Sequence, residues 1–256
     1  MPEEKILGVI PARIGSTRIP NKMLKDICGK PLIQRTFERT KEALSLDALV
    51  IATDSDEIEQ TALSFGARVI RSVSDHKNGT ERSGEAVKLF KDFIPDIVVI
   101  VWGDEPLYPA VAIDNCVRML RENPGLDAVT AADRIADPKM IDVNSVVKIV
   151  TDVNNHALYI SRAVIPYNFT NQTVDYYHVI GAMAMRRDFL FKYIEMEQTP
   201  LEKIESVEQL RILENGYKLG IVKGDFNNLG VNTPDEYEEV VKIYEKRLSE
   251  KQVAKC

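Results

Sequence analysis

Residues 96–106 of this 256-residue chain read Asp96-Ile97-Val98-Val99-Ile100-Val101-Trp102-Gly103-Asp104-Glu105-Pro106. The residues at 97–101 are all β-branched, and a strand that is apolar on both faces is typical of the middle of a mostly parallel sheet covered by helices. Gly103 and Asp104 follow at once and mark the carboxyl end of this strand. Because ligands of open α/β sheets bind beyond the carboxyl ends of strands, we expect functional residues there.

Strands and helices alternate before this run. Predicted strands occupy 6–10, 48–53, 68–71 and 96–102, and predicted helices occupy 30–46, 56–65 and 81–93. Residues 11–22 and 72–80 are predicted loops. The alternation predicts an α/β fold with a Rossmann-like, mostly parallel central sheet covered by helices.

The pattern becomes richer in strands after residue 127. Predicted strands lie at 128–132, 145–151, 157–162, 178–185 and 219–222, and predicted helices at 187–196, 201–215 and 234–247. Asn154-Asn155 is a hairpin turn signal, and Thr233 is a candidate N-cap. Without a linker or repeat, we predict one domain over 1–256, in which residues 127–185 form a β-rich insertion for substrate binding or dimerisation.

Composition is that of an ordinary globular protein, with 45% hydrophobic residues, 28% charged residues and a net charge of −6. No apolar run approaches the ~20 residues of a membrane-spanning helix, and no signal peptide is evident, so we expect a cytoplasmic protein that does not bind membranes. Cys28, Cys116 and Cys256 form no C-x-x-C pair. We expect free thiols rather than disulfides or a zinc site.

The charge is unevenly distributed along the chain. Residues 1–41 contain nine Lys or Arg against four Asp or Glu. An acidic protein with a basic opening segment is a poor candidate for nucleic-acid binding but suits one local anionic ligand. Composition alone leaves a solvated basic helix face as an equal alternative.

The basic residues cluster in the loop predicted after the first strand, which reads P-A-R-I-G-S-T-R-I-P-N-K at 11–22. Three cations, two hydroxyls and a glycine on such a loop favour polyphosphate binding, since cations and backbone N–H groups both neutralise phosphate charge. The spacing is neither G-x-G-x-x-G nor G-x-x-x-x-G-K-[ST]. It therefore disfavours a dinucleotide site and a P-loop.

Six ordered motifs extend the pattern over nearly the whole chain. They are the loop at 11–22, D-H-K-N-G-T-E-R at 75–82, V-W-G-D-E-P at 101–106, Y-I-S-R-A-V-I-P at 159–166, the segment from P-L-E to E-N-G at 200–216, and G-V-N-T-P-D at 230–235. In kind and order they resemble the motifs of the CMP-ulosonate synthetases, above all the 3-deoxy-manno-octulosonate (Kdo) cytidylyltransferases.

The resemblance implies a nucleotidyltransferase fold and an Mg²⁺-dependent transfer of CMP from CTP to an acidic sugar, with release of pyrophosphate. It also implies a homodimer that serves surface polysaccharide or lipopolysaccharide synthesis. Such a transfer needs charge neutralisation and in-line positioning more than covalent help from the protein.

The resemblance also implies roles for individual residues. Lys22, Arg13 and Asp104 would be catalytic, with Lys22 stabilising the pyrophosphate, and Asp104 and Asn232 would hold Mg²⁺. The nucleotide would contact Pro11, Ala12, Arg13, Ser16, Arg18, Lys22, Arg71, Asn78, Gly79, Thr80, Arg82 and Gly103. The acceptor would contact Trp102, Arg162, His178, Met183, Glu208 and Gln209, with Arg162 facing a carboxylate.

Three departures from the family pattern affect the acceptor and the metal. Trp102 replaces a glutamine, and Asn232 replaces an aspartate. At the sugar, Met183 replaces a tyrosine and His178 lies one place before the expected histidine. We therefore expect a modified ulosonate, such as an amino-sugar acid, or a smaller acid. A sugar or polyol phosphate, a phosphonate, and a non-catalytic module that binds CTP or a CMP-sugar remain alternatives.

Overall fold

The computed structural model describes residues 4–15, 18–73 and 75–253, with side chains described up to residue 250. It is a mixed α/β fold with a central sheet flanked by helices. Its contacts divide the described chain into two compact units. The N-terminal unit comprises residues 7–94, 100–110 and 228–253, and the middle unit comprises residues 4–6, 95–99 and 111–227. The single-domain interpretation and the insertion at 127–185 stay predictions.

The N-terminal unit is built on parallel strands. Its elements are β1 (Ile6–Ala12), α1 (Leu32–Thr40), β2 (Ala48–Thr53), α2 (Asp56–Ser64), β3 (Arg68–Arg71), α3 (Gly79–Leu89) and the C-terminal helix, which we label α8 (Pro234–Val253). β2 pairs in parallel with both β1 and β3. The predicted bounds of β2 and β3 are confirmed.

β4 (Ile97–Val101) is the strand on which the sequence analysis began. Its first three residues belong to the middle unit and its last two to the N-terminal unit. All five of its residues are buried. The expectation of a strand that is apolar on both faces is therefore confirmed, and its carboxyl end lies in the N-terminal unit.

The middle unit contains the antiparallel part of the fold. Its elements are α4 (Ala110–Glu122), β5 (Ala128–Arg134), β6 (Lys148–Thr151), β7 (Ala157–Ser161), β8 (Tyr177–Arg186), α5 (Arg187–Glu195), α6 (Pro200–Glu205), α7 (Gln209–Glu214) and β9 (Leu219–Gly224). β5 pairs in parallel with β9 and antiparallel with β8, and β6 pairs antiparallel with β7 and β8. The predicted hairpin is confirmed, since Asn155 adopts φ 60° in the turn between β6 and β7.

Two boundaries near the predicted loops are wrong. β1 continues through Pro11 and Ala12, which the analysis placed in a loop, because they stay in parallel register with β2. α3 begins at Gly79 rather than at residue 81 because Asn78 caps it, its side chain accepting a hydrogen bond from the Glu81 N–H at 2.9 Å. Helices α1 and α3 also end at Thr40 and Leu89, before the predicted residues 46 and 93.

The predicted continuous helix at 201–215 is also wrong. Ser206 adopts a left-handed conformation with φ 52° and ends α6, and α7 begins only at Gln209. A helix cannot continue through a left-handed residue, because its backbone carbonyls no longer point along one axis. Gly216, with φ 76°, follows α7 as expected.

The expected free thiols are confirmed for Cys28 and Cys116, whereas Cys256 lies outside the described residues. Within residues 4–15, 18–73 and 75–253, no helix combines the length and the apolar character needed to cross a membrane.

A buried ion pair links α6 and α7. Arg211 is fully buried, and its guanidinium binds both carboxylate oxygens of Glu202, at 2.7 and 2.6 Å. The guanidinium also donates to the carbonyl of Met196 at 3.3 Å. Because both charges are buried, removing one of them leaves the other without its compensating partner.

We predict that Arg211→Met lowers the free energy of unfolding by about 3 kcal/mol, because it leaves the Glu202 carboxylate buried without its cation. The matched control is Arg187→Met, which removes an ion pair between a half-buried arginine and the exposed Asp188 and should change stability by less than about 0.5 kcal/mol. Urea unfolding measures both. Equal stability of the two variants would show that the Glu202 carboxylate does not depend on Arg211.

Candidate active site

The N-terminal unit holds a compact polar cluster around Lys22, which opens a 3₁₀ turn at Lys22–Leu24. Its Nζ lies 2.5 Å from Asp104 Oδ2 and donates to the Val231 carbonyl at 2.9 Å. The side chains of Lys22 and Asp104 are only 11% and 23% exposed. This charge-assisted contact therefore ties together three segments that are far apart in the sequence.

Gly103 sets the position of Asp104 at the end of β4. A Cβ at this residue would lie 3.1 Å from both the Pro11 carbonyl oxygen and the Met23 Sδ. The Gly103 carbonyl also accepts a hydrogen bond from Thr36 Oγ1 at 2.8 Å. A side chain at this position would have to push these neighbours back by a few tenths of an ångström, so the predicted residue Gly103 allows β1 and the 3₁₀ turn to approach closely.

Asn232 lies on the segment that Asp104 holds. The Val231 N–H donates to the Asp104 carbonyl at 2.9 Å. The next two N–H groups, of Asn232 and Thr233, donate to Glu236 Oε2 at 2.6 and 3.0 Å. Thr233 caps α8 as predicted, accepting from the Glu236 N–H at 3.2 Å. These contacts fix the backbone of Asn232 next to the end of β4, and a shared metal-binding role of Asp104 and Asn232 stays a prediction.

Glu105 is a buried carboxyl that the sequence analysis did not select. Its Oε2 accepts a hydrogen bond from Asn228 Nδ2 at 2.7 Å. Burial, and then the neighbouring charge of Asp104, raise the pKa of Glu105 to about 8. Its place in the motif at 101–106 was the available signal, whereas no motif pointed to Asn228.

Arg13 and Arg18, the other cations of the first loop, are exposed. The predicted residue Ser16 lies outside the described residues. Pro11 and Ala12 are buried at the end of β1. The structure therefore places two of the predicted triphosphate-binding cations at the surface near Lys22 in the sequence, and their contacts with nucleotide stay a prediction.

The start of α3 lies against β1 and the end of β4. A Cβ on Gly79 would be 3.0 Å from Pro11 Cγ and 3.5 Å from Trp102 Cδ1. Pro11, Gly79 and Trp102 are thus close neighbours, with Asn78 and the buried Thr80 on either side of Gly79. Trp102, which the analysis assigned to the acceptor, borders residues assigned to the nucleotide.

Two predicted nucleotide-binding arginines bind carboxylates of the protein. Arg82 is buried, donating to Ser72 Oγ and, at 2.7 Å, to Asp54 Oδ2. Arg71 lies 2.6 Å from Asp56 and 2.9 Å from Glu59. Arg82 therefore links the residues that follow β2 and β3, and Arg71 links the end of β3 to α2. Direct contact of either arginine with nucleotide stays a prediction.

Arg162 explains the break between α6 and α7. Its guanidinium donates to the carbonyls of Glu205, Asn144 and Ser206, at 2.6, 2.9 and 3.2 Å. Two of these carbonyls are at the end of α6, which the cation thereby caps. The backbone N–H of Arg162 also donates to Glu205 Oε2 at 2.9 Å. Arg162 has this structural role in the middle unit, and its contact with a substrate carboxylate stays a prediction.

The other predicted acceptor residues also belong to the middle unit. Glu208 precedes α7, and its carbonyl accepts from Tyr193 Oη at 3.0 Å. Gln209 is buried at the start of α7. Met183 is fully buried in β8, and His178 is half-buried near the start of that strand.

The register of β8 changes between the two predicted sugar-binding positions. Thr130 pairs with Met183, but Ala132, two residues later, pairs with Val179, four residues away. The extra residues of β8 form an irregularity of the kind that re-aims side chains. Val179 and His178 pair in regular succession with Ala132 and Asp133, so neighbouring side chains still alternate there, and His178 faces the opposite way from position 179, where the family pattern has its histidine.

The sequence profile of the family described as Cytidylyltransferase matches residues 7–220. The chain belongs to the cytidylyltransferase family. The predicted nucleotidyltransferase fold and the resemblance found in the motifs are confirmed.

Several members of the cytidylyltransferase family are similar over nearly their full length. The 3-deoxy-manno-octulosonate cytidylyltransferase of Fusobacterium nucleatum is 38% identical over 237 residues, covering 93% of this chain and 96% of that protein. The enzyme of the same name from Francisella philomiragia is 42% identical over 244 residues, covering 93% and 97%.

Solved structures give the same family. A CMP:2-keto-3-deoxy-manno-octonic acid synthetase in complex with CTP superposes with a TM-score of 0.88 at 33% identity, covering 95% of this chain and 99% of that one. A 4-diphosphocytidyl-2C-methyl-D-erythritol synthase from Anaerococcus prevotii, at 16% identity and a TM-score of 0.61, shares the fold.

His178 gives a prediction for the middle unit. Burial lowers the pKa of this imidazole, opposed by the charge of Asp133 on β5 and assisted by that of Lys148 on β6. A lowered folded-state pKa means that the unfolded chain binds more protons as pH falls below about 6.5. His178 therefore lowers the free energy of unfolding as the pH falls below about 6.5, and it has no such effect at higher pH.

When the pH is lowered from 7.5 to 5.5, we expect the free energy of unfolding to decrease more in the wild type than in the His178→Asn variant. Urea unfolding at the two pH values measures the difference. Parallel losses in the two proteins would mean that His178 takes up its proton equally in the folded and unfolded states.

Proposed function

We propose that this cytidylyltransferase transfers CMP from CTP to a hydroxyl of an acidic sugar and releases pyrophosphate. The observation that carries the proposal is the contact of Lys22 with Asp104 at the carboxyl end of β4. The relatives named above, and the CTP complex of a neighbour with a TM-score of 0.88, support CTP as the donor and a Kdo-like acid as the acceptor class.

Lys22 is suited to the departing pyrophosphate. Its ammonium has three N–H donors, and the described contacts with Asp104 and Val231 use two of them. These contacts hold the nitrogen in place and leave one N–H, which can donate to a phosphate oxygen with little reorganisation. Arg13 and Arg18, on the same loop, would supply further positive charge.

Cytidylyltransferases of this kind generally use a divalent metal, and we propose Mg²⁺. Among the described residues, no group of three or more His, Cys, Asp or Glu side chains could hold a metal. A donor set of the Asp104 carboxylate and the Asn232 amide still fits Mg²⁺, which takes few protein ligands when phosphates and waters complete its coordination. When bound, Mg²⁺ would neutralise phosphate charge.

Trp102 restricts the acceptor. A glutamine at this position would present an amide, whereas the indole adds a bulky apolar ring beside Gly79 and Pro11. We therefore infer that the acceptor is a modified ulosonate or a smaller acid rather than Kdo itself. Its CMP derivative would serve surface polysaccharide or lipopolysaccharide synthesis in the cytoplasm.

We further propose that the chain acts as a homodimer. Among the described residues, six large apolar side chains are more than three-quarters exposed, and four of them belong to the middle unit: Val153, Tyr167, Phe169 and Ile204. Three of these four lie within the predicted insertion at 127–185. Exposed apolar side chains of this size support a surface that another subunit covers.

The proposed reaction is tested by pyrophosphate release from CTP and Mg²⁺ with a panel of acids: Kdo, amino-sugar ulosonates and smaller sugar acids. We expect release with at least one acid other than Kdo, and none with EDTA or without acceptor. Trp102→Gln should raise kcat/KM for Kdo at least about tenfold, or about 1.4 kcal/mol in transition-state free energy.

If pyrophosphate is released with a sugar phosphate but with none of the acids, the acceptor is a sugar phosphate and not an acidic sugar. CTP binding without release for any acceptor would favour the non-catalytic alternative. If the wild type and Trp102→Gln turn over Kdo equally well, the indole does not restrict the acceptor.

A further inference from the structure

Both carboxyl oxygens of Glu105 face the segment before α8. Oε2 accepts the hydrogen bond from Asn228 Nδ2 at 2.7 Å. Oε1 lies against Gly230, where an added Cβ would come within 2.8 Å of it. Glu105 is only 9% exposed. Its carboxyl group therefore fills the space between the end of β4 and residues 228–230.

The same segment carries the backbone groups that organise Lys22. The Val231 N–H binds the Asp104 carbonyl, and the Val231 carbonyl accepts from Lys22 Nζ. Asp104 and Glu105, two successive residues, thus hold two successive parts of the segment. A displacement of residues 228–230 would change the distance between the Val231 carbonyl and Lys22.

A carboxyl group is unfavourable if its role is only to fill space. Burying a polar group costs free energy unless it is hydrogen-bonded, and an apolar side chain of similar size would fill the volume at lower cost. Glu105 also lies next to the acidic Asp104. A positional role toward residues 228–231 accounts for the carboxyl group, since only an acceptor can hold the Asn228 amide.

We propose that Glu105 is a positioning residue of the active site, which acts through Asn228 and Gly230 to set the position of the Val231 carbonyl and, through it, the aim of Lys22. The consequence for nucleotide binding rests on the proposed function. The contact with Asn228 needs only an acceptor oxygen, so glutamine can replace glutamate in this role.

The first test measures CTP binding by calorimetry without Mg²⁺ or acceptor. Glu105→Ala and Asn228→Ala should each weaken CTP binding about tenfold. The double variant should be no weaker than either single one, because the two side chains act as one contact. Glu105→Gln should recover most of the affinity that Glu105→Ala loses.

Thermal unfolding of the same variants separates positioning from general stability. The matched control is Gly125→Ala, because a Cβ at Gly125 meets nothing within 4 Å, whereas Gly230→Ala places one against the Glu105 carboxyl group. Gly230→Ala should weaken CTP binding and Gly125→Ala should not. Lowered melting temperatures with unchanged CTP affinity in the Glu105→Ala and Asn228→Ala variants would overturn the proposal.

A second measurement does not depend on CTP. In a crystal structure of Asn228→Ala, the distance from the Val231 carbonyl oxygen to Lys22 Nζ should exceed 3.5 Å, compared with 2.9 Å in the wild type. An unchanged distance would overturn the positioning role. A wild type that fails to bind CTP with Mg²⁺ present would instead overturn the proposed function, and this distance would still decide the role of Glu105.

Discussion

The contact between the Lys22 ammonium and the Asp104 carboxylate organises the candidate active site. A largely buried cation needs a nearby anion, because removing either charge from water is costly. The need is met only if the loop after β1, the turn after β4 and the segment before α8 come together. Gly103 permits that approach by leaving space for the Pro11 carbonyl. The position of the polar cluster thus depends on the buried strand β4, at whose end it lies.

The sequence predicts the strand and the charged residues of the candidate active site better than it predicts the contacts between them. The β-branched run at 97–101 and the cations at 13, 18 and 22 were sufficient to predict an α/β fold and a polyphosphate site. The hydrogen bond from Lys22 to the Val231 carbonyl could not be predicted from the sequence, because every residue has a backbone carbonyl and the residue pattern does not show which one is used. Likewise, Asn228 meets Glu105 across more than a hundred residues, and no local periodicity records such a contact.

The errors in the sequence analysis have local causes. Helical periodicity runs through 201–215, but Ser206 adopts a left-handed conformation, and Arg162 binds the carbonyls of Glu205 and Ser206. The cation that the resemblance assigns to a substrate carboxylate thus also binds the end of a helix. Asn78 moves the start of α3 two residues earlier than predicted, since its cap places Gly79 and Thr80 in the first helical turn. In each case a side-chain contact with the backbone overrides the pattern of apolar residues.

Trp102 and Asn232 are predicted departures from the pattern of the Kdo cytidylyltransferases, and both stand beside the Lys22–Asp104 contact in the sequence or in space. A crystal structure of the complex with CTP would show whether that contact is the phosphate site. We predict Lys22 Nζ within about 3.2 Å of a phosphate oxygen, a normal hydrogen-bond distance. CTP phosphates bound away from Lys22, with its ammonium still engaged only by Asp104 and Val231, would refute the assignment.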